Sequence, residues 1–266
     1  MVSSPTFIST VTVSSAAEDM QLVERILRRQ RAGVISAVAT LAGLAWAWTL
    51  SGAGMSSAGS MEGMTLPPLL LLLAMWWVMM TAMMLPSAAP MILLYGKVRL
   101  QQGGRTAVIA SWVFLSGYLL AWLGMSLLAA LLQLAGTRTG LIDAMTMRSS
   151  SSFLAGATLI AVGVYQFSPV KNACLVSCRS PVAFLTRHWR PGLSGAARLG
   201  LLHGLYCVGC CWLLMALLFV GGVMNFLWIG ALTLLVAAEK LLERGPMVAQ
   251  LSGLCLIAWG AWELAS

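Results

Sequence analysis

Long apolar runs separated by short polar joints make up most of this chain. The runs lie at roughly 32–50, 67–95, 106–135, 152–168, 199–220, 224–239 and 246–264. Most of them approach or exceed the ~20 residues that a helix needs to cross a bilayer core about 30 Å thick. They are too long for barrel strands, and lipid leaves only helices or closed barrels as spanning structures. The pattern predicts an all-α, polytopic transmembrane helical bundle of about seven spans. Pro67 is well placed for a helix start, whereas Pro86 and Pro90 are expected to bend or break the second run. Gly221 and Gly222 turn the chain before the sixth run, and a short amphipathic helix is expected around 181–189.

Ahead of the first run the pattern is different. Residues 1 to about 20 are rich in Ser and Thr and lack the apolar core of a signal peptide. Residues 18–31 are charged and read as helical, ending in Arg25, Arg28, Arg29 and Arg31. The chain therefore divides into a disordered, basic tail over 1–31 and a seven-helix membrane domain over 32–266.

Composition sharpens this picture. The 266 residues are 59% hydrophobic and 9% charged, with a mean hydropathy of +0.88. A soluble domain carries about 25% charged residues. The net charge of +8 invites an acidic partner, but its distribution points elsewhere. Of sixteen Lys and Arg, only Arg138 and Arg148 fall on one side of the expected membrane. The positive-inside rule then places the N-terminus in the cytoplasm and the C-terminal end outside. The bilayer is the partner that these charges serve, and nucleic acid is not called for. Six cysteines could make three disulfides in a secreted protein, but most sit inside a run or on the side assigned to the cytoplasm, so reduced thiols are expected.

Four groups of residues carry candidate chemistry. The fifth run holds His203, Cys207, Cys210, Cys211 and Met215. At about 100° per residue, Cys207 lies roughly 40° from His203 and Cys210 roughly −20°, so the three share one face. Gly200 and Gly204 would let a partner helix come close. The second run holds Met75, Met79, Met80, Met83, Met84 and Met91. Met75, Met79 and Met83, and beside them Met80 and Met84, form ladders at helical spacing. Thioethers stay neutral in a low-dielectric path and favour copper(I) over harder ions, although methionine also serves as an ordinary gap-filler. The joint at 51–66 carries Met55, Met61, Glu62 and Met64, a capture loop or a plain linker. Cys174 and Cys178, in the long connection at 169–198, would share a helical face near Lys171 and Arg179, which would favour thiolates. This pair is expected to act as a separate exchange site in the cytoplasm. The acids sit mostly at run ends: Glu239 and Glu243 at the cytoplasmic edge, Asp143 and Glu62 outside. No P-loop is present, which argues against ATP drive by this chain.

Taken together, three sets of residues resemble a known family. They are Met79-Met80-Thr81-Ala82-Met83-Met84-Leu85-Pro86-Ser87, Tyr165-Gln166-Phe167-Ser168-Pro169-Val170-Lys171 with Cys174 and Cys178, and His203-Gly204 through Trp212 with Glu239-Lys240. The chain looks like the bacterial predicted metal-binding integral membrane proteins, domain of unknown function 2182, over roughly 30–264. That resemblance implies a bacterial membrane, metal binding and a link to copper handling.

The combined expectation is a multi-pass bacterial inner-membrane protein that binds copper(I), with zinc as the alternative ion, and transfers or translocates it. Its metal residues would be His203, Cys207, Cys210, Cys211, Cys174, Cys178, Met79, Met80, Met83 and Met84. A copper chaperone or a copper-enzyme assembly partner would exchange the ion with it. On this reading the protein is no enzyme. The rival is a membrane thiol–disulfide oxidoreductase using Cys207/Cys210 and Cys174/Cys178; a structural subunit of a membrane complex is the third reading.

Overall fold

The computed structural model describes residues 36, 39–40, 42–47, 66–101, 107–143 and 147–266. The tail at 1–31, most of the first run and the methionine loop at 51–66 up to residue 65 lie outside the described residues. Among the described residues the structure is helical throughout, with one isolated bridge between Ile142 and Ser149 and no strand. The helices are α1 (Leu66–Gln101), α2 (Ala107–Arg138), α3 (Ser152–Tyr165), α4 (Pro169–Arg179), α5 (Pro181–His188), α6 (Gly192–Ala216), α7 (Leu218–Gly221), α8 (Phe226–Leu241) and α9 (Gly245–Ala265).

Four stretches are long and apolar enough to cross a membrane: α1, α2, α6 continued by α7, and α9. The pair α3 and α4, bent by 63° at a short break, makes a fifth when taken as one broken span. The break has a local cause. Pro169 opens α4, and Ser168 caps it by accepting from the Val170 amide at 3.2 Å. The expected sixth run is a helix of only 16 residues, about 24 Å long. By length and composition, then, four to five spans are found among the described residues where about seven were expected. The short helix expected around 181–189 is present as α5.

Pro86 and Pro90 do not end α1, which runs through both for 36 residues. Membrane helices tolerate proline where neighbours satisfy the backbone. The carbonyls that Pro86 and Pro90 leave without an amide partner are those of Ala82 and Pro86; the Met84 carbonyl between them accepts from Ser87 Oγ at 2.8 Å and from Tyr118 Oη at 3.3 Å. Gly222, at φ 92°, makes the expected turn after α7 in a conformation that suits glycine.

The bundle is built on two close helix pairs. Helix α2 lies along α6, and α3 lies along α9. At Gly204 an added Cβ would stand 2.6 Å from the Ala121 Cβ, and at Gly200 it would run into the Phe114 carbonyl. The small residues therefore bring backbones together, as their spacing predicts. Helix α1 packs on α2 and α8, and α4 packs on α6. These contacts carry α1, α4 and α8 to one stretch of α6, the stretch that holds the cysteines.

Candidate metal centre

Cys207, Cys210 and Cys211 are each almost wholly buried on α6. The Cys210 and Cys211 thiols donate to the Cys207 carbonyl at 3.1 and 3.0 Å, the local back-bonding available to a small donor within a helix. Helix α1 brings Met84, whose Sδ lies 3.8 Å from Cys211 Sγ. Helix α2 brings Tyr118, whose Oη lies 3.2 Å from Cys207 Sγ.

Helix α4 changes the expected arrangement. Cys178 does not stand apart from the cysteines of α6. The Cys178 thiol packs against those of Cys207 and Cys210. Cys174 rests on α6 at Gly209, where an added Cβ would stand 2.8 Å from its Sγ. Lys171 and Arg179 do not serve these thiols. Lys171 Nζ is paired with Glu239 Oε2 at 2.7 Å, and Arg179 donates to the carbonyls of Glu239 and Glu243 at 2.7 and 2.8 Å. Nor is Glu239 a solvated run end: it is 1% exposed and also accepts from Gln166 Nε2 at 2.9 Å. This explains why Gln166, Lys171 and Glu239 occur together, since they tie α3, α4 and α8 into one polar knot.

His203 shares the cysteine face of α6, yet its ring sits in an aromatic box. The rings of Phe184, Tyr118 and Phe114 lie 5.4, 5.9 and 6.2 Å from it, centroid to centroid. Its Nδ1 is buried with no hydrogen-bond partner. Met79, Met80 and Met83 are buried in the core of α1. Of the ladder, Met84 alone has a described contact with the thiols.

The residue that sequence reasoning missed is Lys240. Its charge was read as part of the membrane-side count. The α8 backbone turns Glu239 toward Lys171 and Lys240 toward the sulfurs. Lys240 Nζ lies 3.0 Å from Cys207 Sγ, 3.9 Å from Cys211 Sγ and 3.8 Å from Met84 Sδ, with Ser87 Oγ at 3.5 Å. The signal available in the sequence was a lysine closing an apolar run, because a cation buried there needs partners.

Soft thiol and thioether donors from three helices thus meet at one buried place, a donor set that fits copper(I). Among the described residues no three His, Cys, Asp or Glu side chains form a ready metal cage. The Cys210 and Cys211 thiols turn to the Cys207 carbonyl, and the Lys240 ammonium stands between Cys207 Sγ and Cys211 Sγ. A model of a protein family described as "PpoB2: Copper chaperone" matches residues 73–263. That name differs from the one suggested by the sequence motifs, and its description speaks of copper; nothing supports zinc. No curated protein and no solved structure matches the chain.

Proposed function

The chain belongs to the PpoB2 family, described as copper chaperones, and from that premise we propose that it carries copper(I) within the bacterial inner membrane and hands it to an assembly partner. It does so without catalysing a reaction. The ion is held by Cys207, Cys211 and Met84, with Cys178 and Cys210 beside them and Cys174 at the rim. His203 is the imidazole one turn away. Met79, Met80 and Met83 lead toward the site along α1, and the loop at 51–66 collects the ion outside.

The proposed topology has seven crossings with the N-terminus in the cytoplasm. It counts the bent pair, the short α8 and the run at 32–50 alongside the long helices. The fourteen-to-two division of Lys and Arg supports it.

The observation that carries this reading is the meeting of sulfurs from α1, α4 and α6 in the buried interior of a chain from a copper-chaperone family. Anaerobically purified, reduced protein should bind copper(I) close to stoichiometrically and zinc far more weakly. Failure to retain copper(I) under those conditions rejects the proposal. The contact of Cys178 with both Cys207 and Cys210 also suits a disulfide relay. A disulfide among these three as the resting state in cells, without bound metal, would establish that rival instead.

A further inference from the structure

We propose that Lys240 is a resident cation. It fills the copper(I) position until the ion arrives, withdraws when the ion binds and returns as the ion leaves. The inference rests on the copper reading above and gives a role to a residue which that reading does not use as a ligand.

Three observations carry it. The first is place: Lys240 Nζ stands among Cys207 Sγ, Cys211 Sγ and Met84 Sδ, at 3.0, 3.9 and 3.8 Å. An ion held by these three sulfurs must take the position that the ammonium occupies. Metal–thiolate bonds are about 2.3 Å long, so the sulfurs would also close inward on it. The second is charge. Copper(I) and an ammonium each carry one positive charge. Exchanging them with the protons on the sulfurs unchanged leaves the net charge of a buried, low-dielectric site unchanged, so neither state strands a thiolate without a counter-cation. The third is mobility. The neighbouring backbone is pinned, because Arg179 holds the Glu239 carbonyl and the Glu239 side chain is locked to Lys171 and Gln166. The four-carbon stem of Lys240 is free of that knot and can swing its head. Lys240 is one residue from the end of α8, beyond which Leu242, Glu243 and Arg244 are exposed. Its head therefore has a short path out of the bundle.

Selectivity follows from the exchange. The thioether of Met84 offers little to an ammonium and a good ligand to a soft ion, so copper(I) displaces the lysine where a harder cation does not. Release is assisted in turn, because the returning ammonium compensates the thiolates as an acceptor draws the ion away.

The chain has three lysines, and all three serve the test. Full-length protein in detergent, with and without copper(I) under anaerobic conditions, is reductively methylated and each lysine read by mass spectrometry. Lys97 is exposed and Lys171 is locked to Glu239, so both should label equally in the two states. Lys240 should label about threefold more with copper(I) bound, as expected when a buried side chain is released to solvent. Unchanged or reduced labelling of Lys240 overturns the inference. The second measurement is release of copper(I) from Lys240→Leu, which removes the charge without adding a sulfur ligand, to a chromogenic copper(I) chelator. Without the returning cation it should be about tenfold slower than from the wild type, given the strength of charge interactions in buried sites. Release at the wild-type rate or faster overturns the inference. A wild-type protein that binds no copper(I) would sink the copper reading and this inference together. Copper(I) binding with an unresponsive Lys240 would sink this inference alone.

Discussion

Two lysines are buried within this bundle, and their surroundings are opposite in kind. Lys171 meets a carboxylate at 2.7 Å, and Gln166 and Ser252 extend that contact into a network. Lys240 meets two thiols, a thioether and one hydroxyl. The two residues to which they owe these environments, Glu239 and Lys240 itself, are adjacent on α8. A hard anion pairs best with a hard cation, and a buried pair of that sort is costly to break once formed. Polarizable sulfur is a weaker partner for an ammonium and a stronger one for a soft metal. The first lysine is therefore a fixed tie between helices, and the second faces sulfurs that hold an ammonium less firmly than a carboxylate does.

The largest expected effect breaks the first of these. Glu239→Ala leaves Lys171 buried without its counter-charge, which should cost about 3–5 kcal/mol of stability. Thermal denaturation in detergent would read this as a large fall in midpoint and a loss of folded protein. Lys171→Met combined with Glu239→Leu should recover most of it. If Glu239→Ala is as stable as the wild type, the tie is not structural and the contrast between the two lysines fails.

Next comes loss of the soft donors. Cys207→Ser with Cys211→Ser should abolish copper(I) binding in an anaerobic chelator competition and leave the folded fraction nearly unchanged. Retained stoichiometric copper would move the site to Cys174, Cys178 and Cys210.

Smaller effects resolve the methionine ladder. Met→Leu keeps volume and usually costs under about 1.5 kcal/mol in a core. Met84→Leu should weaken copper(I) binding by about tenfold, the loss of one of several soft ligands. Replacing Met79, Met80 and Met83 together should leave binding in detergent intact and lower copper-dependent function in cells. Equal binding by both variants would reduce Met84 to packing. The smallest effect is expected from Tyr118→Phe, which removes the hydroxyl beside Cys207 and the Met84 carbonyl. A lost hydrogen bond of this type is worth about 1 kcal/mol. Its check is a modest drop in melting midpoint with copper(I) stoichiometry preserved.

The parts that were legible in the sequence are those set by local pattern. Helical spacing put Cys207 and Cys210 on one face and Cys174 on the same face as Cys178, and the glycine spacing at Gly200 and Gly204 forecast the close approach of α2. Pairings between distant segments left no such trace. Nothing in the spacing of Cys174 and Cys178 says that the 63° bend before α4 turns them onto α6. Charge counting gave Lys240 and Lys171 a topological use and left Glu239 as an acid at a run end, because it weighs where a charge falls along the chain and ignores which way its side chain points. His203 was placed on the correct face, but periodicity cannot report that aromatic rings from α2 and α5 would close around it.

The pairing of α3 with α9 has a consequence for how the protein is made. Gly156 and Gly163 lie against the backbone of Gly260 and Gly253, so closely that an added Cβ at either α3 position would stand 2.9 or 2.8 Å from a carbonyl of α9. Yet α9 begins about 80 residues after α3 ends. At a synthesis rate of ~5–20 residues per second, α3 waits several seconds with its glycine groove uncovered. During that interval its partner in the finished bundle is missing, and the groove lacks the surface that covers it. Helix α9 is then the piece that closes this groove, and a chain stopped before it would leave Gly156 and Gly163 uncovered.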